Sequence, residues 1–97
     1  MIDSIEGIDL SRALRHARSL LENFSWMIER AAVCEQFDTC AIGIVFTRPE
    51  HEQKFPGRLM QLVHMGVMDR EVLGLKMNAI VMSGGSDKPH IRPLIIG

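Results

Sequence analysis

Two thiols, a histidine flanked by carboxylates and a scatter of cationic side chains are the groups in this sequence that could do chemistry. Cys34 and Cys40 are the two cysteines. A thiolate acts as a nucleophile when a base or a positive field favours it, and His51 or His64 is the candidate to supply one. The spacing itself points to no reaction. A free cysteine is among the most buried residue types, and Cys40 opens an apolar stretch, so a core role accounts for it better than catalysis. Zinc ligation by Cys34, Cys40 and a histidine is weaker still, because their separation matches no common ligand pair and no second cluster follows. The sequence therefore leads to the expectation of no metal, no cofactor and no enzyme activity.

Glu50-His51-Glu52 offers a base whose neighbouring carboxylates would favour the imidazolium, an arrangement compatible with acid–base work or a pH-sensitive contact. A solvated loop explains the same residues, since nothing places a nucleophile beside them. Gly84-Gly85-Ser86 with Lys88 could cradle a phosphate through backbone N–H groups, but the Gly-Lys-Ser/Thr of a P-loop is missing and a hairpin turn suffices. An anion site gains force only if Arg48, His51, Arg58, Lys88, His90 and Arg92 converge. In that arrangement Arg48 and Arg58 bracket residues 47–57, with His51 and Lys54 on the segment that closes.

Trp26 is the only tryptophan. On a helical projection it falls opposite the apolar stripe, near Arg12, Arg15, Ser19, Arg30 and Val33. An indole beside arginines has the composition of an interface hot spot, and Trp26, Arg30, Val33 and Arg15 form the expected interface. A covering arm carrying Ile2, Ile5 and Ile8 is the competing explanation. Met60, Met65 and Met68 could form an adaptable apolar surface.

The elements that would position these groups centre on Cys40-Ala41-Ile42-Gly43-Ile44-Val45-Phe46. This uncharged stretch reads as a central strand, with Ile42, Ile44 and Phe46 on one face and Ala41, Gly43 and Val45 on the other. Both faces are apolar, so both call for cover. Before it, the spacing of Leu10, Ala13, Leu14, Ala17, Leu20, Leu21, Phe24, Ile28 and Ala31 predicts one amphipathic helix over 10–32, with Asp9 as N-cap and 1–9 as an arm. Residues 47–57 carry two prolines and no period, which predicts a long surface loop. Leu59, Leu62 and Val63 predict a second helix over 58–65, stopped by Gly66, and Asp69 can cap one further turn. Alternation favours a strand over 75–82 against an extension of the Asp69 helix to Ser83. Residues 84–89 have turn composition, and 90–96 form a returning strand held to an edge by Pro93. The expected fold is α+β: a long N-terminal helix on a small, about three-stranded sheet, with one or two short helices, in a single domain over 1–97.

Composition narrows the function classes. A net charge of -1 lacks the electrostatic signature of a nucleic-acid binder, and 46% hydrophobic with 24% charged residues is ordinary for a globular chain. No leader-like or membrane-spanning run is present, which makes a reducing cytoplasm the expected compartment. The leading expectation is a non-catalytic interaction or regulatory protein, a homo-oligomer that binds another macromolecule. The alternative is a sponge or sensor for a small anionic ligand such as a nucleotide.

Overall fold

Helix α1 spans Leu10–Asn23, and its Ala13, His16, Ala17 and Leu20 are buried along one stripe. The computed structural model describes residues 10–36, 39–81 and 89–96. The Asp9 cap and the N-terminal arm therefore lie outside the described residues, as do residues 84–88 of the expected turn, Lys88 among them. The helix does not continue to 32. The Asn23 side-chain amide donates to the Ser19 carbonyl at 2.9 Å, occupying a carbonyl of the last turn, and Phe24–Met27 turns the chain into strand β1, Ile28–Gln36.

The helical spacing of Phe24, Ile28 and Ala31 has a different cause. A bulge in β1 sets Ile28 opposite Phe46 and Arg30 opposite Val45, so Glu29 is the extra residue and both Ile28 and Ala31 face the core. A bulged strand thus imitates the three-residue step of a helix. Its gain is an additional strand, antiparallel to β2, Thr39–Phe46.

Residues 47–57 are not a loop. Helix α2 runs Pro49–His64, with Pro49 in its first turn, where the missing N–H is no loss, and Glu50 and Glu52 beside the positive end of the helix dipole. Pro56 lies within the helix. Buried Phe55, Leu59 and Val63 recur every four residues, and the Phe55 ring meets Phe24 and Phe46 edge-on at 5.0 and 5.5 Å between centroids. Gly66 ends this segment at φ +79, a conformation suited to glycine. The Asp69 side chain then accepts from Glu71 N–H at 2.8 Å and caps a 3₁₀ turn, Arg70–Gly74. Strands β3, Lys76–Val81, and β4, His90–Leu94, follow.

The four strands lie in the order β1-β2-β3-β4. The central β2–β3 pair is parallel and connected through α2; the two outer pairs are antiparallel. Both helices cover the same side. Leu20 and Phe24 from the first helical segment and its turn, Phe55 and Leu59 from α2, and Ile42, Ile44 and Met77 from the sheet belong to one buried cluster. The fold is therefore α+β in two layers, and no described helix crosses to the second face of the sheet.

Candidate functional site

Strand alternation assigns that second face. Arg30, Ala32 and Cys34 of β1, Ala41, Gly43 and Val45 of β2, Asn78 and Ile80 of β3, and Ile91 of β4 occupy it by register. Most of this surface is apolar, and the charges on it, Arg30 and Lys76, lie toward opposite ends of the sheet, level with Val45 and Ala41 of β2. Ile91 is 59% exposed, and Cys34 is an exposed free thiol. A shallow groove runs across Cys34, Ala41, Gly43, Asn78, Ile80 and Ile91. Gly43 keeps it low: a β-carbon there would stand 2.5 Å from Cδ1 of Ile80, which lies across the glycine.

The interface expected around Trp26 is divided by the break in the helix. Trp26 sits in the turn after α1, 56% exposed. Its ring meets His51 edge-on at 5.8 Å and lies under the Arg58 guanidinium at 5.9 Å. Arg15 remains on α1, Arg30 lies on the uncovered sheet face, and Val33 is half-buried on the core face. The Thr47 hydroxyl stands 3.0 Å from His51 Nδ1, so this imidazole belongs to the Trp26 surface. Glu52 turns elsewhere, its carboxylate 3.6 Å from Arg92. Successive helical residues project about 100° apart, which is why the Glu50-His51-Glu52 triplet makes no joint acid–base site.

Of the six ligand candidates, Arg48 and Arg92 come together in a cleft of about 530 Å³ at the carboxyl ends of β2 and β3. His51 and Arg58 join Trp26 instead, His90 is exposed on β4, and Lys88 lies outside the described residues. Glu29 and Glu52 also line the cleft, so it has mixed charge rather than the all-cationic character expected. Cys40 lies in β2, and nothing brings a described histidine to Cys34.

The sequence reading passed over His16. Its 4% exposure and position on the apolar stripe of α1 make it the one buried polar or charged residue among those described. His16 Nε2–H donates to Glu71 Oε1 at 2.7 Å, and the Arg12 guanidinium pairs with the other oxygen of Glu71. Asp69 stands close enough that His16, Asp69 and Glu71 place three donor atoms within 4.8 Å of one another, the spread of a metal-ligand set. Arg12 and the Asp69 cap already engage both carboxylates. The arrangement ties α1 to the 3₁₀ turn. The visible signal was a histidine three residues after Ala13 and four before Leu20.

Among the described residues, geometry and chemistry thus define a two-layer α+β protein with one sheet face that neither helix covers and a mixed-charge cleft. Compared with protein-family models, curated proteins and solved structures, the chain matches none. Among the described residues no helix is long and apolar enough to cross a membrane.

Proposed function

We propose that this chain is a non-catalytic interaction protein of the cytoplasm that self-associates by stacking its bare sheet face on that of a second copy. The observation supporting this reading is the placement of both helices on one side of a sheet whose strand β2 is apolar on both. Water against Val45, Ile80 and Ile91 is an unfavourable neighbour, and a second sheet about 10 Å away is the usual remedy.

A second copy suits the face better than a charged partner. The described face carries Arg30 and Lys76 near opposite ends and is flat and small-residued at its centre, while a net charge of -1 gives two copies little mutual repulsion. Four strands about 4.8 Å apart and roughly 20 Å long present a footprint on the order of 400 Å² before side-chain relief is counted. Two such faces bury on the order of 1,000 Å², near the lower bound for a specific interface, so the dimer is expected to dissociate in the micromolar range. Homo-oligomerisation of this kind assembles a sandwich whose helices and Trp26 surfaces face outward for a further macromolecular partner.

Ile91→Lys tests the reading, because it places a charge at an exposed point of the face without entering the core. Light scattering at about 100 µM should give a dimer mass for the parent and a monomer mass for the variant, with little change in monomer stability. Site-resolved thiol labelling should show Cys34 protected as parent concentration rises. A monomeric parent whose Cys34 reacts equally fast at every concentration would remove the proposal, whereas loss of the dimer on Trp26→Ala with Ile91→Lys still dimeric would move the interface to the turn.

A further inference from the structure

The cleft exists because the sheet divides. Registered pairing between β2 and β3 ends at Ile44 and Ala79, yet β2 stays paired with β1 to Phe46 and β3 stays paired with β4 to Val81. Beyond that point the two hairpins part, and the edges of Val45–Phe46 and Ile80–Val81 line opposite walls of a space of about 530 Å³. Crevices at the carboxyl ends of parallel strands, where a crossover helix departs, are the usual ligand positions of open sheets.

The lining decides the class of ligand. Arg48 has no ion-pair partner among the described residues, and neither has Glu29, so each could take up an opposite charge. Arg92 and Glu52 balance one another across 3.6 Å. Val45, Pro49 and Ile80 add apolar side chains to the lining. A simple phosphate would meet the two carboxylates of the lining as well as its two guanidiniums and leave these apolar side chains uncovered. The geometry points to a zwitterionic ligand with an apolar body, of the class of a short apolar peptide: its carboxylate on Arg48, its ammonium on Glu29, its amide against the parted strand edges. Bidentate pairing of carboxylate with guanidinium fixes one end, and the strand edges supply N–H and C=O groups of the type that bind extended peptides.

This site is independent of the bare-face dimer, and its test uses a separate readout. The isotope-labelled parent is titrated with leucyl-phenylalanine, with the same dipeptide N-acetylated, with its C-terminal amide, and with inorganic phosphate, following backbone amide shifts. The expected result is saturable shifts at Val45, Thr47, Ile80 and Val81 with the free dipeptide, and affinity lowered about tenfold or more by either blocking group. Arg48→Ala, a change at an exposed helix start, should weaken binding similarly, and Arg58→Ala, whose guanidinium lies over the indole, should leave it unchanged. No saturable shift up to about 10 mM dipeptide would overturn the proposal. So would equal binding of the blocked dipeptides, or phosphate alone reproducing the same shifts.

Discussion

Truncating Ile44 to alanine puts the two faces of β2 on a common energetic scale. Ile44 is fully buried, and its registered neighbours on the core face are Ala31 of β1 and Ala79 of β3. Neither alanine can reach into the space left behind, so the cavity should persist instead of collapsing. Isoleucine-to-alanine changes in cores remove about 2–5 kcal/mol, and this poorly relaxing site belongs in the upper half of that range. A domain of this size holds roughly 5–15 kcal/mol in all, so about a quarter or more of the stability would go. At roughly 4–8 °C per kcal/mol the melting midpoint should fall by on the order of 15–40 °C. Ile44→Val, which removes one methyl, should cost about 0.5–1.5 kcal/mol. On the other face Cys34→Ser at an exposed position should stay within about 0.5 kcal/mol when measured at concentrations that keep the chain monomeric. Urea titrations followed by far-ultraviolet circular dichroism give all three values. A loss below about 1 kcal/mol for Ile44→Ala, or parity between Ile44→Ala and Cys34→Ser, would refute the assignment of the core to the helix-covered side.

The His16–Glu71 tie should show itself as a stability term: His16→Ala is expected to cost about 2–3 kcal/mol in urea melts, because a buried hydrogen bond to a carboxylate and its packing are lost together. Asp69→Ala should cost about 1 kcal/mol by removing the side-chain cap of the 3₁₀ turn, measured the same way. A negligible loss from either would mean that the turn is held by Val72 in the core and not by these polar contacts.

Legibility varied with how many physical causes a pattern admitted. Cys40 to Phe46 combined β-branched residues, two apolar faces and polar boundaries, and only a strand satisfies all three; it is β2, Thr39–Phe46. Lys76–Val81 was readable from alternation for the same reason, and Gly66 and Asp69 act as stop and cap because their local chemistry needs no distant partner. Residues 24–32 were ambiguous, since a bulge at Glu29 shifts the phase of a strand to a helix-like step, and bulges depend on the partner strand. The prolines at 49 and 56 suggested a loop, but Pro49 with Glu50 and Glu52 is also a helix start, and Phe55 supplies the burial that makes it one. The candidate site was readable in part. Arg48 and Arg92, both named as candidates, do converge, but their meeting depends on the sheet order and could not be seen in the sequence, and Glu29 reaches the same cleft from β1, where the spacing had predicted helix.

The bare face and the cleft meet in one residue. Ile80 lies over Gly43 on the sheet face and also lines the cleft, because it is placed one step beyond the last β2–β3 pair, Ile44 with Ala79. Gly43 serves the first role: a side chain at 43 would displace the tip of the Ile80 side chain, raise the centre of the flat surface and alter one wall of the cleft. The parting of the strands follows from their partners. The bulged β1 holds the end of β2 through Arg30 with Val45 and Ile28 with Phe46, while β4 holds the end of β3 through Ile91 with Ile80 and His90 with Val81. Each central strand therefore remains paired on its outer side as it leaves the other. Antiparallel hairpins twist strongly, and two of them joined only along the parallel register from Ala41 to Ile44 diverge where that register ends. A sheet assembled in this way has a flat, low centre suited to stacking on another sheet and an open end suited to a ligand, with Ile80 at the boundary between them.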